Sequence, residues 1–189
     1  MKIVAKLVVF LLLATAALQI STRAEPALTI IEIETLLKEN TNHIVEYEES
    51  RESAWLQTPV ISKGTMQSIP PMLEKSAQFP SLQTWRLYPD HMQWLGPTDS
   101  KTLNFSQAPQ LGALANALRG VVLGEFTTLN KDFFVEVLGE QASWSVQLKP
   151  RSDNLGRYLS LIQFSGAGSK IKKIVVLETG GEKTVTTFK

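Results

Sequence analysis

Eleven short stretches of strand character, each closed by a turn signal, set the tightest limit on what this chain can fold into. Residues 44–53, 60–69, 72–78, 82–88, 92–95 and 101–105 are separated by Pro70-Pro71, Pro80, Pro89-Asp90 and Gly96-Pro97. Residues 133–139, 143–149, 157–165, 171–179 and 183–188 form a second series, with Gly166-Ala167-Gly168 and Gly180-Gly181 as hairpin turns. Short strands at even spacing predict an antiparallel meander, because hairpins join neighbours without long crossovers. Helical periodicity occurs twice. Thr29 is a cap with Glu32 as its capping-box partner, Ile30, Ile33, Leu36 and Leu37 form one stripe, and Asn40-Thr41-Asn42 ends it. A second helix begins at Pro109, repeats Leu111, Leu114, Leu118 and Val122, and closes at Gly124, with a further turn over 125–132. Gly112, Ala113, Ala115 and Ala117 keep part of it slim. The class is α+β, mainly antiparallel β: one long sheet with a helix in front and another inserted midway.

The N-terminus reads as a secretory signal. Lys2 and Lys6 precede an apolar run from Leu7 to Leu18, and Thr22-Arg23-Ala24 places small residues at a cut after Ala24. That run is about a dozen residues, short of the roughly 20 that span a bilayer. Residues 1–24 are therefore expected to be removed, leaving a single domain over 25–189. Losing Lys2, Lys6 and Arg23 leaves 16 basic against 18 acidic residues, a net charge of −2. This near-neutral balance argues against a nucleic-acid partner. There is no cysteine, which excludes disulfides, thiolate catalysis, Cys-ligated zinc and an N-terminal lipidated cysteine. Export without cysteine points to the bacterial periplasm.

Motifs for catalysis are scarce. His43 and His91 have no metal-ligand spacing, so neither a metal nor a cofactor is expected. Ser169-Lys170-Ile171-Lys172 matches Ser-x-x-Lys but lies at a hairpin rather than at a helix start. Glu46 and Glu48 share a strand face and could pair as acid and base, yet nothing supplies an electrophilic partner. A hydrolase would need these carboxylates inside a cleft.

The apolar pattern says more. Trp85 and Leu87 share a face, as do Met92 and Trp94, and Trp144, Val146 and Leu148 line another. Residue type alone favours core packing. A single curved sheet, however, needs a partner layer that two helices fill only in part. The remainder is an apolar cavity suited to an acyl chain. Its candidate lining is Tyr47, Met66, Leu73, Trp85, Leu87, Trp94, Leu114, Leu118, Trp144 and Leu148.

The order of these segments resembles the LolA-type periplasmic carriers of Gram-negative bacteria over nearly all of residues 25–189. The resemblance is carried by signal, helix and acidic strand, then Gly64-Thr65-Met66 leading into Pro71-Met72-Leu73. It continues through the mid-chain helix to Ile174-Val175-Val176-Leu177, Gly181-Glu182-Lys183-Thr184 and Phe188. It implies an incomplete, half-open β-barrel covered by helices, with no chemical step. It also implies an acylated lipoprotein or lipid as ligand, an inner-membrane release complex and an outer-membrane acceptor. Carriers of this type have an arginine before the proline of the second strand pair, latching the lid helix. Pro70 stands there in this chain, and Glu74 replaces an aromatic. Lid closure is then expected to rest on apolar contact by Leu111, Leu114, Leu118 and Val122. The alternative is a non-enzymatic scaffold of an envelope export or lipid and pigment pathway, with a filled core.

Overall fold

The computed structural model describes residues 27–39 and 42–189. The signal segment, and Asn40 and Thr41 of the first helix stop, lie outside the described residues. Helix α1 spans Ile30–Lys38 and opens with a reciprocal capping box. The Glu32 amide donates to Thr29 Oγ1 at 3.3 Å, and the Thr29 amide donates to Glu32 Oε2 at 2.8 Å. Its stripe buries Ile33 and Leu37 completely. Helix α2 spans Pro109–Val122, and a 3₁₀ segment follows at Phe126–Lys131. Pro109 takes the first turn, and Gly124 at φ 66° ends the helix where any Cβ would lie 2.7 Å from the Glu34 carbonyl.

The strands are β1 (Ile44–Glu52), β2 (Val60–Ile69), β3 (Met72–Phe79), β4 (Gln83–Leu87), β5 (His91–Leu95) and β6 (Ser100–Asn104), then β7 (Phe133–Glu140), β8 (Ser143–Pro150), β9 (Leu159–Ala167), β10 (Lys170–Glu178) and β11 (Lys183–Phe188). All join one antiparallel sheet in the order β6-β5-β4-β3-β2-β1-β11-β10-β9-β8-β7. Two meanders thus meet at a seam where Tyr47 faces Phe188 and Glu49 faces Thr186. The sheet is not closed, since β6 and β7 are its two edges. Helix α2 lies on the connection between those edges, which is what makes it a cover for the concave face. The core sits on that face. Val146, Leu148, Ile162, Phe164 and Ile174 from β8–β10 pack there with Ala117, Val121 and Phe126.

Two local expectations change. A one-turn helix α3, Asp153–Gly156, capped by Ser152, occupies the approach to β9, so that strand starts at Leu159 rather than at 157. Gly166 and Ala167 continue β9 instead of turning, and the hairpin bends at Gly168-Ser169. Gly166 is needed inside the strand because a Cβ there would lie 2.4 Å from the Trp144 ring and 2.2 Å from the Lys170 carbonyl.

Candidate functional site

The register places most of the expected residues on the concave face, but in different settings. Trp85 lies opposite Trp94, Leu87 opposite Met92, and Leu73 opposite Leu87. Tyr47, Met66, Leu73, Trp144 and Leu148 are buried in the core. Leu87, Leu114 and Leu118 pack half-buried against it. Trp85 and Trp94 form a half-buried aromatic shelf on the β3–β6 side, where Trp94 Nε1 donates to Gln83 Oε1 at 3.1 Å. Trp144 is tied into the opposite meander, donating to the Gly168 carbonyl at 2.8 Å.

A cavity of about 240 Å³ opens at the end of the sheet where both helices approach it. Its apolar wall comes from Leu37 of α1, Val122 of α2, Val45, Met66, Phe188 and Ile171. Its polar part comes from His43, Ser68, Ser169, Lys170, Lys172 and Lys189. Met66 is the one residue of the expected lining found in this wall. Leu37 and Val122 belong to the two helical stripes, whereas Val45, Ile171 and Phe188 sit at strand ends, where periodicity carries little signal. What joins them is the seam between β1 and β11, a pairing across most of the chain length that no local pattern announces.

The expected lid contact needs correction. The contact of α2 with the sheet side is not apolar alone, because the helix carries Arg119. Arg119, with only 4 % of its side chain exposed, donates from Nη1 to the Pro71 carbonyl at 3.1 Å and to Glu125 Oε2 at 2.7 Å. Asn116, one turn earlier, donates to the Pro89 carbonyl at 3.0 Å. The helix is thereby tied to the β2–β3 and β4–β5 turns. The Pro71 carbonyl accepts from a guanidinium on the facing helix, so the arginine stands on α2 and not beside the proline. Arginine suits this role because its several fixed donors serve two acceptors at once.

Toward the other end, the concave face carries a closed polar network. Lys75 reaches from β3 across Gly64 of β2 to Glu49 of β1, at 2.6 and 2.7 Å from its two oxygens. Thr186 donates to the same carboxylate at 2.6 Å. The ammonium also lies 4.9 Å from the Tyr47 ring centre and 5.8 Å from that of Trp85. Burial pushes the Tyr47 hydroxyl pKa upward, opposed by its bond with Ser62. Nearby, the bond from Arg51 holds Glu182 below the usual carboxylate range, while burial and the Glu182 charge push Glu178 above it.

The catalytic candidates are dispersed. Glu48 pairs with Lys63 at 3.0 Å and lines an open groove with Ser50, Val185, Thr187 and Lys189, a groove that exposed Glu46 does not line. His91 stacks on Tyr88 at 4.4 Å and faces Asp90 at 2.7 Å. The Ser169 and Lys172 pair of the Ser-x-x-Lys match lies at the β9–β10 hairpin, away from any helix start. Among the described residues, no three His, Asp or Glu side chains gather as metal ligands, and no helix is long and apolar enough to cross a membrane.

An open antiparallel sheet with helices over its concave face, and a partly apolar cavity between them, defines a binding scaffold. The family model of outer-membrane lipoprotein carrier proteins, LolA-like, matches residues 24–188, and the chain belongs to that family as a divergent member. Solved structures with a similar course include a LolA superfamily protein, NE2245, from Nitrosomonas europaea: 11 % identical, covering 86 % of this chain and 92 % of that one, with a TM-score of 0.48. MucB in complex with MucA(peri) is 10 % identical, covering 85 % and 54 % with a TM-score of 0.38. LprF from Mycobacterium bovis is 10 % identical, covering 85 % and 89 % with a TM-score of 0.35. No curated protein matches the chain by sequence.

Proposed function

We propose that this chain is an exported periplasmic carrier that holds an acyl chain of a lipoprotein or lipid and passes it toward the outer membrane. No bond is made or broken. The observation that carries this reading is the cavity under α1 and α2, walled by Leu37, Val45, Met66, Val122, Ile171 and Phe188. Each methylene buried there contributes about 0.8 kcal/mol, so a short length of chain gives useful affinity. Loading and release would follow movement of α2, bringing the shelf of Trp85, Leu87 and Trp94, with Leu114 and Leu118, into the path of the ligand. An inner-membrane release complex and an outer-membrane acceptor are the partners such a carrier needs.

Calorimetric titration with octanol as the probe, a neutral chain short enough for the cavity, tests this reading. Heat should saturate at one probe per chain, and Val122→Trp, which fills the cavity, should abolish it without unfolding the sheet. Absence of saturable binding by folded protein would overturn it. The close packing of Val146, Leu148 and Ile162, all fully buried, favours in that case a scaffold with a filled core.

A further inference from the structure

We infer that the ligand is a single acyl chain bearing an anionic headgroup, its tail in the cavity and its charge at the β9–β10 hairpin. This rests on the acyl-carrier reading and narrows it to one class of amphiphile.

Polarity across the cavity comes first. The helix side, from Leu37 and Val122, is apolar, whereas the hairpin side presents Ser169, Lys170 and Lys172, joined by His43 from the residue before β1. No aspartate or glutamate side chain lines it. Most strand lysines elsewhere have carboxylate partners, as in Lys63–Glu48, Lys75–Glu49, Lys149–Glu136 and Lys183–Glu52, with Lys173 an exception. Among the described residues, Lys170 and Lys172 form no such ion pair. Two uncompensated ammonium groups beside an apolar hollow match an acceptor-only anion attached to a hydrocarbon.

The backbone supports the same polarity. Ile171 pairs with Gly166 and Lys173 with Ser165, so Lys172 is an extra residue in the β10 strand. A bulge of this kind re-aims side chains. Here it allows Ile171 and Ile174 both to face the core while Lys172 joins the cavity wall. Size then limits the tail. Taking a methylene as about the volume of a liquid water molecule, roughly 30 Å³, the 240 Å³ cavity accepts a single chain of roughly eight carbons. Two or three chains of that length side by side would need roughly two to three times this volume.

Carboxylate and phosphate present the same acceptor chemistry, so calorimetric titration should compare decanoate, decyl phosphate and decanol. Wild type is expected to bind at least one of the two anions about tenfold more tightly than decanol. In K170Q/K172Q that preference should fall toward parity, with decanol binding unchanged and the melting temperature retained. The charge-matched variant K131Q/K173Q should keep it. Preference for one anion alone supports the inference and names the headgroup. Decanol binding as tightly as both anions, or a preference that survives K170Q/K172Q, overturns the headgroup assignment and leaves the acyl site intact. Failure of all three to bind folded protein removes the acyl reading itself.

Discussion

Arg119 joins two turns of chain that lie far apart in sequence, and its neighbours show why no sequence pattern exposed it. The residue sits among Ala117, Val121 and other small or apolar positions, and the acceptors that make its burial tolerable are a backbone carbonyl at Pro71 and the carboxylate of Glu125. A carbonyl acceptor leaves no mark on residue type. Arg119→Met should cost about 2 kcal/mol in urea unfolding, since it strands both acceptors, one of them partly hydrated. The same variant should speed probe release. Gly166→Ala should also destabilise, by roughly 1–3 kcal/mol, because the Trp144 ring and a strand carbonyl occupy the space of the new methyl. The two glutamates of the β10–β11 hairpin oppose each other with pH. Glu182 is held low by Arg51, so its contribution is present above the ordinary carboxylate range and is lost as pH falls through its lowered pKa. Glu178 is held high, mainly by burial, so its charge opposes folding at neutral pH and is relieved in acid. Melting curves should therefore show Glu178→Gln above wild type at neutral pH and Glu182→Gln below it. Both differences should close in acid.

At the level of elements, local chemistry was readable and packing was not. The Thr29 and Glu32 capping box, Pro109 at the start of α2 and Gly124 after its end all formed as their residue types dictate. Strand boundaries fell close to expectation wherever proline or glycine ended them. Helix α3 was missed because four residues hold no helical period, and its Ser152 cap is the only local sign. The nature of α2 depended on burial. Leu111, Leu114, Leu118 and Val122 read as the contact stripe, yet the fully buried positions are Ala117 and Val121, with Leu118 at the half-buried margin. Slim residues are inside because the helix lies close over the sheet. Two variants separate the two parts of that surface. Val121→Asp places a charge among fully buried neighbours and should cost several kcal/mol, enough to unfold the domain. Leu118→Asp should leave a cooperative melt at lower temperature and release the probe faster. Equal unfolding by both would make α2 an integral part of the core with no lid function.

Across the whole molecule, the alternation of strands and turns foretold the two meanders and the helix between them. It did not foretell that β1 and β11 would pair, because that seam depends on residues 47–52 meeting residues 183–188. The cavity depends on that seam. It brings Val45, Met66, Phe188 and the β9–β10 hairpin to one end of the sheet, beneath Leu37 and Val122. The resemblance of segment order led to the right family, while the residues around the cavity came into view only with the register. Methyl NMR of the folded protein during titration with decanol tests the central claim most directly. The account predicts shifts that saturate together at one ligand per chain and centre on Leu37, Val45, Met66, Val122 and Ile171. Methyl resonances of those residues that stay unmoved at saturating decanol would contradict it.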